Sequence, residues 1–539
     1  MNNAMSDTDQ ASDDLHGDGP HGFLEDLAAV CSAGAINTDA GDRAYYSQDL
    51  YSKGALPAAV VRPSDTSQVQ NIVKVCARHN AAIHSRGGGM SYTDAYQPRG
   101  MHSIILDTSA MNAIREVSPR DGHVVVEAGC TWAALDTALE KHAMRARFWG
   151  PMSGGKATIG GSISQGTVTF GSGTTGASAN AVKSFEIVTG DGALIHTGSD
   201  SSKNAGPFNR NFGPDITGIF ANDAGAMGIK TAITLEIEPR PAKVSGLSFA
   251  CDDFDAMSAL FGDICSRRLA SELIAMDGAV ARQNAGPANM LEDAKAMWAI
   301  GKAAGNPLAA IGRMLNIAKG GRRFLDKAKY TAHFVVEGRD ADELNSRVRA
   351  IRSLAKNYSF AEIVNTVPLM TRAMPFPLEL AVTHPDGRRM IPFHCVLPYS
   401  AAPGFHAAYQ QLKRQFTDEM AEKNVEVAEF FAGVAGAGIL YEPVVYWNDS
   451  RTEFHDRNTP SYLQDSIQDY AENPDGRALV DKFMREVIAL MEQHGSTHFQ
   501  IGKLYPYMQN KTGGAETFLR DLKARLDPEN IINPGALGF

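Results

Sequence analysis

The sequence predicts an α+β protein of more than one domain, on three observations. A strand, a helix and a second strand follow one another over residues 57–85, which is the usual building unit of a parallel sheet. The dipeptide Asp-Gly stands at 121–122 and again at 191–192 between strand-like runs, as expected for antiparallel hairpins. After the prolines at 239 and 241, helix-like segments alternate with strand-like runs, which indicates an antiparallel sheet with helices on one face.

The parallel unit is justified element by element. Residues 57–62 form an apolar run that Pro63 stops, which is typical of a strand. Ser64 or Asp65 can cap the helix that follows, because its apolar side chains at 69, 72, 73 and 76 recur at helical spacing. This helix is expected to end near Asn80, before a strand at 82–85.

The later elements follow from the same patterns. A short amphipathic helix is expected from Phe23 to Val30, and Thr131 can cap a helix that carries Trp132 on its apolar face. Further strands are predicted at 103–107, 114–117, 123–128, in the runs FEIVT and ALIHT, and at 229–237. Beyond the proline pair we predict helices near 253–268, 341–356, 404–423 and 478–493, and strands at 330–337, 389–397, 425–431 and 439–447.

Composition excludes several classes of protein. A net charge of −10 gives no electrostatic support to a nucleic-acid partner. The six cysteines form no CxxC pair, which favours reduced thiols in a cytoplasmic protein over disulfides or zinc. Residues 1–22 are polar and acidic, without the features of a signal peptide, and are predicted to be a disordered tail. No apolar run reaches the length of a membrane span.

Two glycine-rich segments dominate the N-terminal half. The first is Arg86-Gly87-Gly88-Gly89-Met90-Ser91-Tyr92, and the second, residues 147–176, contains nine glycines and little charge. Glycine permits close approach of the main chain to a bulky group, often a phosphate held by N–H groups. Two such segments suggest one long ligand held at two places, and a dinucleotide is the natural candidate.

The spacing Gly171-x-Gly173-x-x-Gly176 matches the Rossmann fingerprint, with Asp191 about 20 residues further on. We reject this interpretation. The next strand begins near Phe185, so too little chain remains for a crossover helix, which needs about 10–12 residues with its loops.

Six blocks stand in order along the chain: AAVVRPSDTSQVQNIVKVC (58–76), RGGGMSY (86–92), TIGGSISQG (158–166), NAVKSFEIVTGDGALIHTG (180–198), residues 213–241 and DPENIINPGALGF (527–539). Together they resemble one known family, the FAD-binding oxidoreductases of the vanillyl-alcohol oxidase or p-cresol methylhydroxylase (PCMH) type. The match is close over 54–241 and loose elsewhere. The resemblance implies a two-subdomain PCMH-type FAD-binding fold plus an α+β cap domain with an antiparallel sheet.

The domain limits follow from the resemblance and the proline pair. We expect an FAD-binding domain at 23–241, a cap or substrate domain at 242–500, and a C-terminal segment, 501–539, that returns to the FAD domain. An insertion at 288–329 is either a basic amphipathic helix that touches a membrane surface or quinone pool, or a helical excursion of the cap. The second is favoured because Gly and Pro interrupt its apolar stripe.

The family also implies which residues hold FAD. The first glycine segment would bind the pyrophosphate through backbone N–H groups, the segment from Thr158 would follow the ribityl chain, and Gly171 to Ser178 with Ile229 would lie near the ribose and adenine. The cofactor-binding residues so predicted are Arg86, Gly87, Gly88, Gly89, Met90, Ser91, Pro151, Thr158, Ile159, Gly160, Gly161, Ser162, Gly171, Gly176 and Ile229.

Non-covalent FAD is expected. Relatives that tether the flavin through the first loop carry a histidine where this chain has Met90, and those with a cysteinyl link carry Cys where it has Gly154 or Gly155. A link through a cap-domain His or Tyr remains open.

The family reaction is hydride transfer to the flavin from a carbon that bears oxygen or an aryl group, with a base that takes the hydroxyl proton. The predicted catalytic residues are His394, His498 and Tyr505, each with core packing as the competing interpretation. Lys503 or Arg389 is considered as the partner of a substrate carboxylate.

The first-choice function is an FAD-dependent oxidoreductase that acts on the CH–OH group of an alcohol or 2-hydroxy acid. The alternatives are oxidation of a phenolic substrate, and a non-catalytic electron-transfer subunit. Gly495-Ser496 replaces the Tyr-Arg pair that holds the phenolate in 4-alkylphenol oxidisers, and His394 and His406 are too far apart for the metal site of D-2-hydroxy-acid dehydrogenases. No metal is therefore expected.

The expected partner is a small organic substrate. The electron acceptor is oxygen, a quinone or a cytochrome, and the sequence does not decide among them. The protein is expected to be cytoplasmic. A homodimer and a peripheral contact with a membrane are left open.

Overall fold

The computed structural model describes residues 20–278, 328–376, 382, 384, 386–464 and 467–539. Most of the predicted tail and nearly all of the predicted insertion at 288–329 lie outside these residues. The first helix begins at Pro20, so the end of the predicted tail at residue 22 is wrong by a few residues.

A small sheet with a parallel core comes first. Its strands are β1 (Ile36–Asn37), β2 (Ala59–Val61), β3 (Ala82–Arg86) and β4 (Ser103–Asp107). They lie in the order β1-β2-β4-β3, and β2 and β3 both run parallel to β4. The predicted parallel unit is confirmed, with β4 inserted between its two strands.

The second sheet is antiparallel. Its strands are β5 (Ile114–Ser118), β6 (His123–Glu127), β7 (Met144–Ala146), β8 (Val182–Val188), β9 (Leu194–His196) and β10 (Ile229–Pro239). Strand β10 lies between β6 and β8 and also pairs with β7. Both predicted Asp-Gly hairpins are confirmed, and Gly122 and Gly192 have the positive φ that their turns require.

The helices of this half are short and capped. They are α1 (Pro20–Val30), α2 (Ala40–Tyr46), α3 (Thr66–Arg78), α4 (Trp132–Glu140), α5 (Ile159–Gln165), α6 (Ser172–Thr175) and α7 (Ile216–Ile219). The side chains of Asp65, Thr131 and Thr158 accept backbone N–H groups at the starts of α3, α4 and α5, which satisfies donors that have no partner within the helix. No crossover helix follows Gly176, so the rejection of the Rossmann interpretation is confirmed.

The third sheet belongs to the second half of the chain. Its strands are β11 (Lys243–Cys251), β12 (Glu272–Asp277), β13 (Tyr330–Gly338), β14 (Ala361–Ile363), β15 (Arg389–Pro392), β16 (Cys395–Leu397), β17 (Val425–Val434) and β18 (Gly438–Trp447). Their order is β14-β11-β13-β12-β17-β18-β15, with β16 also on β18, and the pairings are antiparallel. The predicted strand at 389–397 is in fact two strands, separated by Phe393 and His394.

Helices cover one face of this sheet, as predicted. The described helices after residue 242 are α8 (Phe254–Ser266), α9 (Ala341–Asn357), α10 (Thr366–Ala373), α11 (Ala402–Gln415), α12 (Thr417–Glu422), α13 (Glu453–Asn458), α14 (Ser461–Gln464), α15 (Pro474–Gln493) and α16 (Gly513–Leu526). Apolar side chains of α8, α9, α11 and α15 share one core with the strands. The single helix predicted over 404–423 is wrong, because the chain breaks it at Phe416.

Two features join the halves. The chain end returns to the first sheet, where the N–H of Ile83 donates to Ile531 O at 2.7 Å and the N–H of Asn533 donates to Ile83 O at 2.8 Å. Arg145 of β7 makes two 2.7 Å hydrogen bonds to Glu337 of β13, and both side chains are buried. The helices in the described ranges include none that is long and apolar enough to cross a membrane.

Candidate functional site

The two predicted glycine segments lie against each other. A Cβ atom on Gly87 would stand 2.0 Å from Thr158 Oγ1, and one on Gly88 would stand 2.0 Å from Lys156 O. No residue with a Cβ fits at either position unless the loops separate. These glycines are therefore required for contact between the two loops. From the sequence we had predicted only that they allow the approach of a phosphate.

The first loop presents a run of backbone donors without acceptors. In the described part of the chain, none of the five N–H groups from Gly87 to Ser91 donates a hydrogen bond. Gly89 and Ser91 are buried and the other three are partly buried, and buried donors are nearly always paired in proteins. Such a run in a glycine turn is a cradle for an anion, and it fits the diphosphate of a dinucleotide.

Arg86 adds a positive charge at the start of the cradle. Its guanidinium is buried, and Nε and Nη2 have no hydrogen-bond partner. The guanidinium carbon lies 5.1, 4.4 and 5.3 Å from the ring centres of Tyr45, Tyr46 and Tyr96, so aromatic faces hold it in place. Nε and Nη2 are left to donate to an anionic group.

The segment that begins at Thr158 forms the facing wall. Helix α5 starts there, and its first N–H groups already have acceptors: Ile159 donates to Cys130 O and Gly160 to Ala128 O. A Cβ on Gly160 would collide with Ala128, whereas one on Gly161 would meet only Thr158, at 3.3 Å. Of this segment, Gly161 is the glycine with room beside it.

The Gly171–Gly176 segment has a different use. The N–H of Gly171 donates to Glu272 Oε1 at 2.9 Å, and that of Gly173 donates to Ser271 O at 2.9 Å. A Cβ on Gly173 or Gly176 would strike Ala270 O or Ala435 O, respectively. These glycines pack α6 onto the third sheet, and a contact of Gly171 and Gly176 with the ribose or adenine stays a prediction.

The remaining predicted cofactor residues surround this region. Pro151 and Ser162 are buried, and Ser162 Oγ accepts the indole N–H of Trp132 at 2.9 Å. Met90 is partly buried in the first loop. The side chain of Ile229 packs in the core beneath the first sheet. Their contacts with FAD stay predictions.

The three predicted catalytic residues come together. His498 stacks on Tyr505 with ring centres 4.0 Å apart, and His394 lies 5.5 Å from the same tyrosine ring. The backbone N–H of His394 donates to the Tyr505 hydroxyl at 2.8 Å. The cluster adjoins the cradle, because the ring of Tyr92, the residue after Ser91, lies 6.0 Å from that of His394.

Hydrogen bonds fix the form of both histidines. A carbonyl oxygen can only accept, so His394 Nε2 donates to Phe499 O at 2.7 Å and His498 Nδ1 donates to His394 O at 2.8 Å. The other nitrogens, His394 Nδ1 and His498 Nε2, are buried and have no hydrogen-bond partner. Burial lowers the pKa of His394 to about 3 and lowers that of His498, so both are neutral bases near pH 7.

Sequence reasoning missed three members of this cluster. Gln500 Nε2 donates to the Tyr92 hydroxyl at 3.0 Å, and that hydroxyl also hydrogen-bonds Glu442. Glu442 Oε2 lies 3.7 Å from His394 Nδ1. A lone carboxylate in the apolar run GILYEPVVYW was the signal that could have identified Glu442.

The family comparison agrees with this geometry. Residues 57–198, which include the cradle and its facing wall, match the family model described as FAD binding domain. Over nearly its whole length the chain also has the fold of p-cresol methylhydroxylase, with a TM-score of 0.68 at 14% identity over 97% of this chain and 98% of the other.

Residues 57–198 are an FAD-binding domain, and the chain has the PCMH-type fold.

Two further structures share the fold of this FAD-binding protein. 4-Ethylphenol oxidase from Gulosibacter chungangensis has a TM-score of 0.71 at 14% identity, covering 96% of this chain and 97% of the other. An alkyldihydroxyacetonephosphate synthase has a TM-score of 0.66 at 15% identity, covering 95% and 85%. Both likenesses extend beyond residues 57–198 into the second half of the chain.

Curated relatives match the FAD-binding protein over a shorter stretch. Glycolate oxidase subunit GlcD of Bacillus subtilis is 25% identical over 248 residues, 46% of this chain and 51% of the relative. D-2-hydroxyglutarate dehydrogenase of Stutzerimonas stutzeri is 28% identical over 241 residues, 44% and 49%. The mitochondrial D-lactate dehydrogenase [cytochrome] of Arabidopsis thaliana is 27% identical over 213 residues, 38% and 35%. The chain thus spans about half the length of the first two.

Lys503 and Arg389 lie outside the cluster of this FAD-binding protein. Lys503 Nζ donates to Gln97 O at 2.6 Å, and burial with nearby Arg99 lowers its pKa to about 7. Arg389 is buried and donates to the carbonyls of Leu50, Tyr51 and Ser450. Both cations already donate to backbone carbonyls, and the contact of either with a substrate carboxylate stays a prediction. In the described ranges, no group of three or more His, Cys, Asp or Glu side chains is arranged to hold a metal.

Proposed function

We propose that this protein is an FAD-dependent oxidoreductase that removes a hydride from the CH–OH carbon of an alcohol or 2-hydroxy acid. One observation carries the proposal. The unpaired N–H groups of the cradle end at Ser91, and the next residue, Tyr92, contacts His394 and Glu442. A cofactor site and a proton-handling cluster are therefore parts of one continuous surface. The curated relatives named above, all linked by name to 2-hydroxy acids, support this choice of substrate class.

Each part of the site has a role in this proposal. Arg86 and the N–H groups of Gly87 to Ser91 hold the diphosphate of FAD, and the α5 wall limits its position. FAD, when bound, supplies the two-electron redox chemistry. The polar cluster orients the substrate hydroxyl and receives its proton, for which a neutral histidine or a carboxylate is suited.

We propose that FAD is held without a covalent bond. Met90 stands in the first loop where a tethering histidine would be required, and Gly154 and Gly155 offer no thiol. Acid precipitation of the loaded protein tests this: free flavin in the supernatant is expected, and flavin that remains with the pellet contradicts it.

The second candidate is oxidation of a phenolic substrate. It is favoured by the whole-chain fold likeness to 4-ethylphenol oxidase and p-cresol methylhydroxylase, which includes the cap. A hydroxyl of Tyr92 beside Glu442 offers hydrogen bonds to a substrate oxygen of either class.

The test is anaerobic mixing of the FAD-loaded protein with a panel of 2-hydroxy acids, benzylic alcohols and alkylphenols. Loss of the oxidised flavin absorbance with one class identifies the substrate class. Dithionite serves as the control, since it reduces bound flavin without a substrate site. If dithionite bleaches the flavin and no panel member does, the oxidoreductase proposal fails and a non-catalytic electron-transfer subunit becomes the better explanation.

A further inference from the structure

Glu442 is a carboxyl group that projects from an apolar sheet face. It lies in β18, where neighbouring side chains point to opposite faces. Tyr441 packs with the helices, whereas Leu440 and Val444, on the side of Glu442, belong to apolar clusters on the other face. An isolated carboxyl in such surroundings is costly unless it has a use.

Only some side chains of the cluster are accessible to solvent. The Glu442 side chain is 17% exposed and Tyr92 is also partly exposed, whereas His394 is 0% exposed. Glu442 and Tyr92 are therefore open in part to a ligand, whereas His394 can be reached only after a rearrangement. His498 is partly exposed, but its free Nε2 is buried, so accessibility favours the carboxyl beside His394 over either histidine as the base.

We propose that Glu442 is the group that takes the substrate hydroxyl proton, with Tyr92 and His394 as positioning residues. The inference rests on the proposed function. In the step, the substrate O–H bond breaks and a bond forms between that hydrogen and a Glu442 oxygen. The C–H hydrogen leaves with its electron pair to the bound FAD, and the carbon is left as a carbonyl. Tyr92 holds the carboxyl through its hydroxyl, and Gln500 holds Tyr92.

Protonation sets when this carboxyl is active. The titratable groups that face it are Tyr92 from the first loop, His394 from the β15–β16 break, Tyr446 from β18 and Tyr505 from the C-terminal segment. Burial raises the pKa of Glu442 to about 8. The base form accumulates as pH rises through that value, so the rate of flavin reduction is expected to rise with it.

The decisive variants are E442Q, which cannot accept the proton, and E442D, which can. Rapid anaerobic flavin reduction is measured against pH with the substrate that the panel identifies. We expect E442Q to slow reduction roughly 100-fold or more and to lose the rise with pH, because general-base catalysis contributes about 10²–10⁴-fold. E442D should keep the rise at a lower rate. E362Q, which makes the same chemical change at an exposed ion pair with Arg352, is the matched control and should behave as wild type.

Two further measurements separate this role from a structural one. FAD affinity should be unchanged in E442Q, and infrared titration of the FAD-loaded protein without substrate should show a protonated carboxyl that titrates near pH 8 in wild type and is missing in E442Q. Wild-type reduction rates with an unchanged pH profile in E442Q would overturn the assignment. Failure of every panel substrate to reduce wild type refutes the proposed function instead, and the role of Glu442 with it.

Discussion

Substitution of Gly88 by alanine tests the meeting of the two glycine segments. Gly88 has no positive φ, so alanine is allowed by the backbone and the effect is steric. The new Cβ would lie 2.0 Å from Lys156 O and 2.7 Å from its carbonyl carbon, closer than the 3.0 Å that such contacts keep, so one loop must move by about 1 Å or more.

The magnitude follows from what the movement disturbs. Overpacking of this kind costs about 1–3 kcal/mol of folding free energy. A shift of the cradle also misaligns N–H groups with the diphosphate, and loss of one hydrogen bond to a charged group costs about 1.5–3 kcal/mol. We therefore expect FAD to bind G88A roughly 10- to 150-fold more weakly than wild type.

The assay is titration of cofactor-free protein with FAD, followed by flavin fluorescence, with thermal unfolding in parallel. G100A is the matched control, since a Cβ at Gly100 would meet nothing within 4 Å. Its affinity and stability should equal those of wild type. An FAD dissociation constant for G88A within twofold of the wild-type value would refute the argument that the loops pack this closely.

Three other predictions concern buried ionisable side chains. R86M should weaken FAD binding about tenfold or more, measured by the same titration, because a buried guanidinium would lose an anionic partner. R145M should lower the free energy of unfolding by up to about 3–5 kcal/mol in urea, because buried Glu337 keeps only Arg372, at 3.7 Å, as a charged partner. R352M, at an exposed ion pair, should cost less than about 1 kcal/mol. Burial lowers the pKa of His394 to about 3 from its ordinary value of 6.5, so below pH 6.5 the unfolded chain takes up a proton that the folded chain does not. The free energy of unfolding should therefore fall as the pH is lowered from 6.5 to about 3. H394F should reduce the slope of this fall by at most about 1.4 kcal/mol per pH unit. An H394F protein with an unchanged slope would contradict this.

Local patterns predicted most of the fold. The caps at Asp65 and Thr131 and the two Asp-Gly turns are where we expected them, because they depend on residues next to one another in sequence. Strands β11 and β12 escaped prediction, since their burial comes from neighbours distant in the chain. The division of the chain into domains at 241 and 500 stays a prediction.

Local sequence could not separate glycines that form a cradle from glycines that pack. Gly87 and Gly173 look alike in composition, yet the first lies in the run of free donors and the second is pressed against the cap. The candidate catalytic residues show the same limit. His394 and Tyr505 were found by residue type, whereas Glu442 became a candidate only once its strand was seen beside Tyr92.

The continuity of the first loop has a practical consequence. The last free donor of the cradle, Ser91, and the hydroxyl-bearing Tyr92 are adjacent residues, so a nucleotide held at the first lies beside the second. A substrate that gives a hydride to the flavin must lie against the flavin ring, so protein stripped of its flavin lacks one wall of the proposed substrate site and is a poor target for ligand screening. Searches for inhibitors should begin with the loaded form.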